Sequence, residues 1–197
     1  MRALILLPAC LLAACGAAPT GQLTPAFGDT ALSAQGAHEL RVYLGPAGAV
    51  RGLAVYHGDR GLIPAAVLAR GEQVFPGRLA VSFESEWHAG RGAVFEVEYD
   101  LGDGKEGEIA ATPDGELLYV ERSLDLASVP ASLQQAAVSR VGGGRVVSAE
   151  SKEAAGVITT ELKVDQDGRT HVVSLAADGR VLWHGLRFKA QVEVPVP

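Results

Sequence analysis

The chain has 197 residues, 48% of them hydrophobic, with 17 Lys and Arg against 23 Asp and Glu and a formal net charge of −6. That length can bury the core of one or two small domains, and the acidic balance argues against a nucleic-acid partner. Its two cysteines, Cys10 and Cys15, both precede any folded core, so no disulfide staples the rest of the chain.

The chain opens MRALILLPACLLAACGAAP. Arg2 supplies positive charge. Ala3 to Leu12 is apolar, the length of a secretory h-region and short of the roughly 20 residues of a bilayer span. Leu12-Ala13-Ala14-Cys15 resembles the Leu-small-small-Cys lipobox of bacterial lipoproteins. The resemblance implies a signal peptide over residues 1–14, lipidation of the Cys15 thiol, cleavage before Cys15 and acylation of the new amine. An ordinary signal peptide cleaved near Ala14 is the alternative. Gly16, in place of Asp, points to the outer membrane, with the protein facing the periplasm.

Residues 15–37 are rich in Ala, Gly, Pro and Thr and carry one charge, Asp29, so they read as a flexible tether. Its typical reach is roughly 25 Å. Phe27 and Leu32 are the tether residues best suited to touch the domain.

Beyond residue 38 the chain echoes itself. Pro64 corresponds to Pro130, Asp114-Gly115 to Asp178-Gly179, and Tyr119 to Trp183. A partial copy, 38–60, comes first, with Pro46 and Gly48 in place of Pro113 and Gly115. A spacing this long implies duplicated small domains rather than a solenoid of short repeats. Pro64 and Pro130 suit helix starts; Pro76-Gly77 and Gly142-Gly143-Gly144 suit helix ends. Ile63, Val67 and Val74 keep helical spacing, as do Val129, Leu133, Ala136, Ala137 and Val141. The period then changes to two. Val81, Phe83, Ser85 and Trp87 alternate with Ser82, Glu84 and Glu86. Phe95, Val97 and Tyr99 alternate with Glu96 and Glu98, and Ile158 to Val164 behave alike. Turns at 102–104, 113–115, 165–168 and 178–179 connect the strands as hairpins. Residues 186–194 alternate and predict a last strand.

The expected fold is therefore α+β: a tandem repeat of a helix plus a four-stranded antiparallel meander, over 61–127 and 128–197, preceded by an extra β-hairpin over 38–60. This pattern, over roughly 38–185, resembles the PepSY-like domains of bacterial secreted proteins, a family structurally related to β-lactamase-inhibitory protein. The resemblance implies a non-enzymatic, protein-binding or inhibitory role outside the cytoplasm. It carries no catalytic residues with it.

The sequence shows no familiar catalytic or cofactor constellation. Gly102-Asp103-Gly104-Lys105-Glu106-Gly107 matches GxGxxG, but Glu108 to Ala111 continues as strand toward Pro113. A dinucleotide site needs a helix there, so no nucleotide is expected. Asp165-Gln166-Asp167-Gly168 starts like a calcium loop but lacks its third acidic ligand and closing Glu. His38, His57, His88, His171 and His184 stand at no metal-ligand spacing, and no GxSxG serine occurs. No cofactor, metal or catalytic residue is expected.

Charge does divide unevenly. Residues 61–127 carry a net of −8 and residues 128–197 a net of +1. If Phe83, Trp87, Phe95, Val97 and Tyr99 face the helix, then Glu84, Glu86, Glu96 and Glu98 share the opposite face, joined by Glu108. That face is a candidate docking surface for a basic partner protein or peptide, or else a solvated face that keeps the protein soluble. Trp87 ends its strand beside His88, as a core-edge residue or as an aromatic anchor for the partner. Calcium fits this face less well, because carboxylates on an open sheet do not form a cage. The leading expectation is a membrane-anchored envelope module that binds a protein and, as one form of that role, inhibits an envelope enzyme. An envelope hydrolase with an unrecognised site and a purely structural assembly lipoprotein are the alternatives.

Overall fold

The computed structural model describes residues 36–188. The signal segment 1–14, Cys15, the tether but for its last two residues, Phe27, Leu32 and the end of the expected last strand from residue 189 lie outside the described residues.

Two strands open the fold, β1 (Glu39–Leu44) and β2 (Val50–His57), and helix α1 (Ala65–Val74) follows. Next come β3 (Leu79–His88), β4 (Gly92–Gly102), β5 (Lys105–Ala111) and β6 (Leu117–Leu124). Helix α2 (Ala131–Val141) precedes β7 (Arg145–Ala154), β8 (Val157–Gln166), β9 (Arg169–Leu175) and β10 (Val181–Arg187).

All ten strands form one sheet in chain order, each antiparallel to its neighbours. This corrects the expected fold class. There are not two helix-plus-meander units but a single ten-stranded sheet with two helices laid on one face. The physical reason is edge pairing. A four-stranded meander standing alone leaves two open edges, each a row of unmet N–H and C=O groups. Here β2 pairs with β3 across the α1 connection, and β6 pairs with β7 across the α2 connection, from Val120↔Glu153 to Leu124↔Ala149. Sequence periodicity reports which face a strand buries; it is silent on which edges join.

The helices start and stop as their punctuation dictates. Pro64 and Pro130 occupy the position just before the first helical residue, with φ of −55° and −52°. Phe75 and then Pro76-Gly77 end α1, while Gly142 ends α2 at φ 89°, a conformation that favours glycine. Each helix buries a pair of residues one turn apart, Val67 and Gly71 in α1, Leu133 and Ala137 in α2. Beneath α1 the row Phe83, Val97, Ile109, Val120 runs across four strands. Beneath α2 the row is Ala149, Leu162, Val173. Val81 departs from its expected phase with Phe83: a bulge lies between Ala80 and Ser82, and Val81 is 47% exposed.

Gly71 marks the closest approach of helix to sheet. A Cβ there would collide with the Tyr99 hydroxyl and come within 2.7 Å of its Cζ. Gly71→Ala should therefore destabilise the protein by about 1–3 kcal/mol through overpacking. It should do so even though alanine favours a helix by roughly 1 kcal/mol over glycine. Tyr99→Phe in the same chain should recover part of the loss. Urea midpoints of the two single variants and the double variant read this; a Gly71→Ala protein as stable as wild type would refute the seating of α1 on β4.

Candidate functional site: an uncovered polar sheet face

Both helices lie on one face, so among the described residues the other is open along the whole sheet. The strand registers assign its residues. Tyr43, Gly52 and His88 align across β1, β2 and β3, as do Arg41, Ala54, Glu86 and Val94 across the first four strands. Tyr56, Glu84, Glu96, Ala110 and Tyr119 form the next row. Glu98, Glu108, Glu121, Lys152 and Thr159 continue the face toward the far edge, followed by Glu150, Glu161, Ser174 and Trp183.

Glu84, Glu86, Glu96 and Glu98 thus share a face, with Glu108, but the first three are not exposed on it. They are 2%, 3% and 5% exposed, whereas Glu98 and Glu108 are half-buried. The aromatic residues of the same face account for this. Tyr43 donates to Glu86 Oε1 at 3.1 Å, Tyr56 stands opposite Glu84, and the Tyr119 hydroxyl donates to Glu96. His88 Nε2 lies 2.7 Å from Glu86 Oε2. Among the described residues neither oxygen of Glu84 has a hydrogen-bond partner. The guanidinium of Arg41 donates to Glu39 at 3.3 Å and stacks on Tyr56 at 4.6 Å. Trp87 lies on the opposite, helix-bearing face, in register with Leu53 and Ala93, and is half-buried.

The electrostatics follow from this crowding. Burial, then the charges of Glu96 and Glu86, pushes Glu84 up to about 11. Burial and the charge of Glu86 raise Glu96 to about 7. Burial and the nearby Glu106 raise Glu98 to about 6. Glu108 is raised well above the ordinary carboxylate range by burial and by Glu96 and Glu121. Burial acts upward on Glu86 as well, but the hydrogen bonds from His88 and Tyr43 and the His88 charge hold it below that range. Glutamates oppose one another directly at 84↔96, 98↔108, 108↔121 and 150↔161. Lys152 joins Glu121 at 2.6 Å and Lys163 joins Glu150 at 2.7 Å. No lysine or arginine pairs with Glu84, Glu86 or Glu96 among the described residues.

Three features escaped the sequence reading. Trp183 is 56% exposed at the far edge of the polar face, its ring lying over Gly185. The signal was present: glycine two residues on leaves room for an indole on the same strand face. A buried pair, His57 Nε2 and Ser85 Oγ at 2.9 Å, sits on the helix-bearing face, formed by residues 28 apart in sequence. It resembles a base and its nucleophile, but the proton runs the wrong way. His57 Nδ1 accepts from the Asp59 backbone N–H at 3.2 Å, so neutral His57 carries its proton on Nε2 and donates to Ser85. Burial lowers the His57 pKa, favouring that neutral form. The third feature is His171 Nδ1 and His184 Nε2, 2.9 Å apart near the β10 edge.

The two weak motifs resolve as turns. Asp103 has a φ of 55° between Gly102 and Gly104, and strand β5 follows with no helix. Asp165 Oδ1 accepts from the Gly168 N–H at 3.0 Å and closes its own hairpin.

No family model matches the chain, and no curated protein matches it. Solved structures do. A Bacteroides eggerthii protein described as periplasmic is 16% identical over 64% of this chain and 90% of its own, with a TM-score of 0.52. A BLIP-like protein from Bacteroides fragilis is 17% identical over 68% of this chain and 94% of its own, with a TM-score of 0.49. A DUF2874 family protein from Bacteroides uniformis is 13% identical over 62% and 88%, with a TM-score of 0.49. The likeness to the Bacteroides eggerthii protein is one of fold. Among the described residues no helix is long and apolar enough to cross a membrane.

Proposed function

We propose that this chain is a protein-binding module of the bacterial cell envelope, anchored through lipid on Cys15, that receives a partner on its uncovered sheet face. Inhibition of an envelope enzyme is one form this role takes. The observation that carries the reading is Trp183: a large aromatic side chain, 56% exposed, at the edge of a polar sheet face that no helix covers among the described residues. Such residues dominate binding energy when a partner encloses them. The PepSY-like pattern, the lipobox and the periplasmic description of the Bacteroides eggerthii protein support the location. The acidic excess of the face favours a basic partner surface, through faster encounter and charge complementarity.

Charge reversal at Glu84, Glu86 or Glu96 would test folding, because those side chains are buried. Trp183→Ala and Glu106→Lys act on exposed positions of this face, Glu106 standing two residues before Glu108 on β5, and test docking. In capture from envelope extract, wild type should retain a stoichiometric partner, and Trp183→Ala should weaken its binding about 30-fold or more. Glu106→Lys should weaken it less, and only at low salt. Trp87→Phe, on the other face, should leave capture unchanged. Retention of the same partner by Trp183→Ala, or turnover of peptides or esters without any stable partner, would sink the reading.

A further inference from the structure

We propose that Glu84, Glu86 and Glu96 hold a hard divalent cation, best matched by calcium. This goes beyond the docking role and does not depend on it. The three side chains bring ligand oxygens within 4.8 Å of one another, the one such trio among the described residues. That spacing accommodates either calcium or magnesium, but three carboxylates favour calcium, because magnesium keeps several waters and takes only one or two carboxylates. An all-carboxylate donor set belongs to hard cations rather than to zinc or copper. Three carboxylates supply up to half a dozen oxygens, and water completes calcium's sphere.

An acidic cluster alone does not make a site; Glu84 supplies the independent observation. It is 98% buried by its 2% exposure, and both of its oxygens lack any hydrogen-bond partner among the described residues. A buried polar group without a partner carries its full desolvation cost, so something absent from the protein atoms is expected to meet it. The Arg41 guanidinium, on the same face, is engaged by Glu39 and the Tyr56 ring. Glu86 and Glu96 are already oriented. Tyr43 and His88 grip the two oxygens of Glu86, and Tyr119 grips one of Glu96. These partners fix the carboxylates while leaving lone pairs free, as the groups around a metal's ligands do. The opposed pair Glu108↔Glu121 is relieved by Lys152, and Glu150↔Glu161 by Lys163. Glu84↔Glu96 has no such lysine, and a cation takes that place.

The test uses the full chain and terbium as a calcium substitute. Tyr43 and Tyr119, which touch the trio, are suited to sensitise terbium luminescence. Wild type should show tyrosine-sensitised emission that calcium competes away. Its thermal midpoint should rise roughly 5–10 °C at a hundredfold excess of calcium over the dissociation constant. Glu84→Gln should weaken both responses at least about tenfold, while raising the midpoint in chelator because an amide spares the folded state the cost of burying an ionisable group. Glu161→Gln, on the same face but outside the trio, should leave both responses intact. Absence of sensitised emission in wild type, or equal emission from Glu84→Gln, overturns the site. So does a wild-type midpoint indifferent to calcium beside a Glu84→Gln midpoint raised in chelator, since the cluster is then filled by protons.

Discussion

Leu162→Ala should destabilise the protein by about 2–5 kcal/mol, the range for emptying a fully buried leucine site. For a chain of this size that corresponds to a fall of roughly 4–20 °C in midpoint. Leu162 is 0% exposed, set on β8 between Ala149 and Val173 and packed in the core that includes Leu133 and Ala137 of α2. The decisive readout lies in the other core. Trp87 is on β3, and in a Trp183→Phe background it reports the first half of the sheet alone. The seam between halves is the β6–β7 ladder, reinforced where Lys152 joins Glu121 and lies 3.2 Å over the Tyr119 ring. If the ten strands are one cooperative unit, Trp87 fluorescence and backbone circular dichroism should shift together. An unmoved Trp87 transition beside an early loss of dichroism would mean that the sheet parts at β6–β7.

Much of the local structure was legible because local rules govern it. Proline and glycine punctuation framed α1 and α2, and alternation separated Phe83, Phe95 and Val97 from the glutamates between them. The joining of strands into one sheet was not legible, because hydrogen bonds between β6 and β7 leave no period in either strand. Nor was burial on the polar face. Alternation set Glu84, Glu86 and Glu96 opposite the helices, and a glutamate facing away from a core reads as solvated. Tyr43, Tyr56 and Tyr119 overturn that. Tyr43 and Tyr56 come from strands outside the helix-plus-meander unit, and only the β2–β3 pairing brings them over the carboxylates. Trp183 was hidden for a related reason: its exposure depends on β10 being a sheet edge, and edges are decided last.

The carboxylate cluster also predicts how stability varies with pH when no cation is present. Glu96, held near 7 when folded, has an ordinary value near 4.5 in the unfolded chain. Its raised value means that the folded state keeps a proton which the unfolded state gives up. The contribution is therefore in place below pH 4.5 and is lost as pH climbs through about 7. Between pH 5 and pH 8 the loss is on the order of 3 kcal/mol, at about 1.4 kcal/mol per unit. Glu84, raised further, steepens the fall across the same range. His57 opposes it below its ordinary 6.5, because burial disfavours the protonated imidazole and stability returns as pH rises to that value. A comparison of variants removes that background. Glu96→Gln keeps an acceptor for Tyr119 and cannot ionise, so relative to wild type it should gain roughly 3 kcal/mol between pH 5 and pH 8. Denaturant midpoints at pH 5, 6, 7 and 8 in chelator give the difference directly. Parallel pH profiles for the two proteins would show that Glu96 ionises in the folded state as it does in water, and that the tyrosine-ringed cluster does not hold its proton.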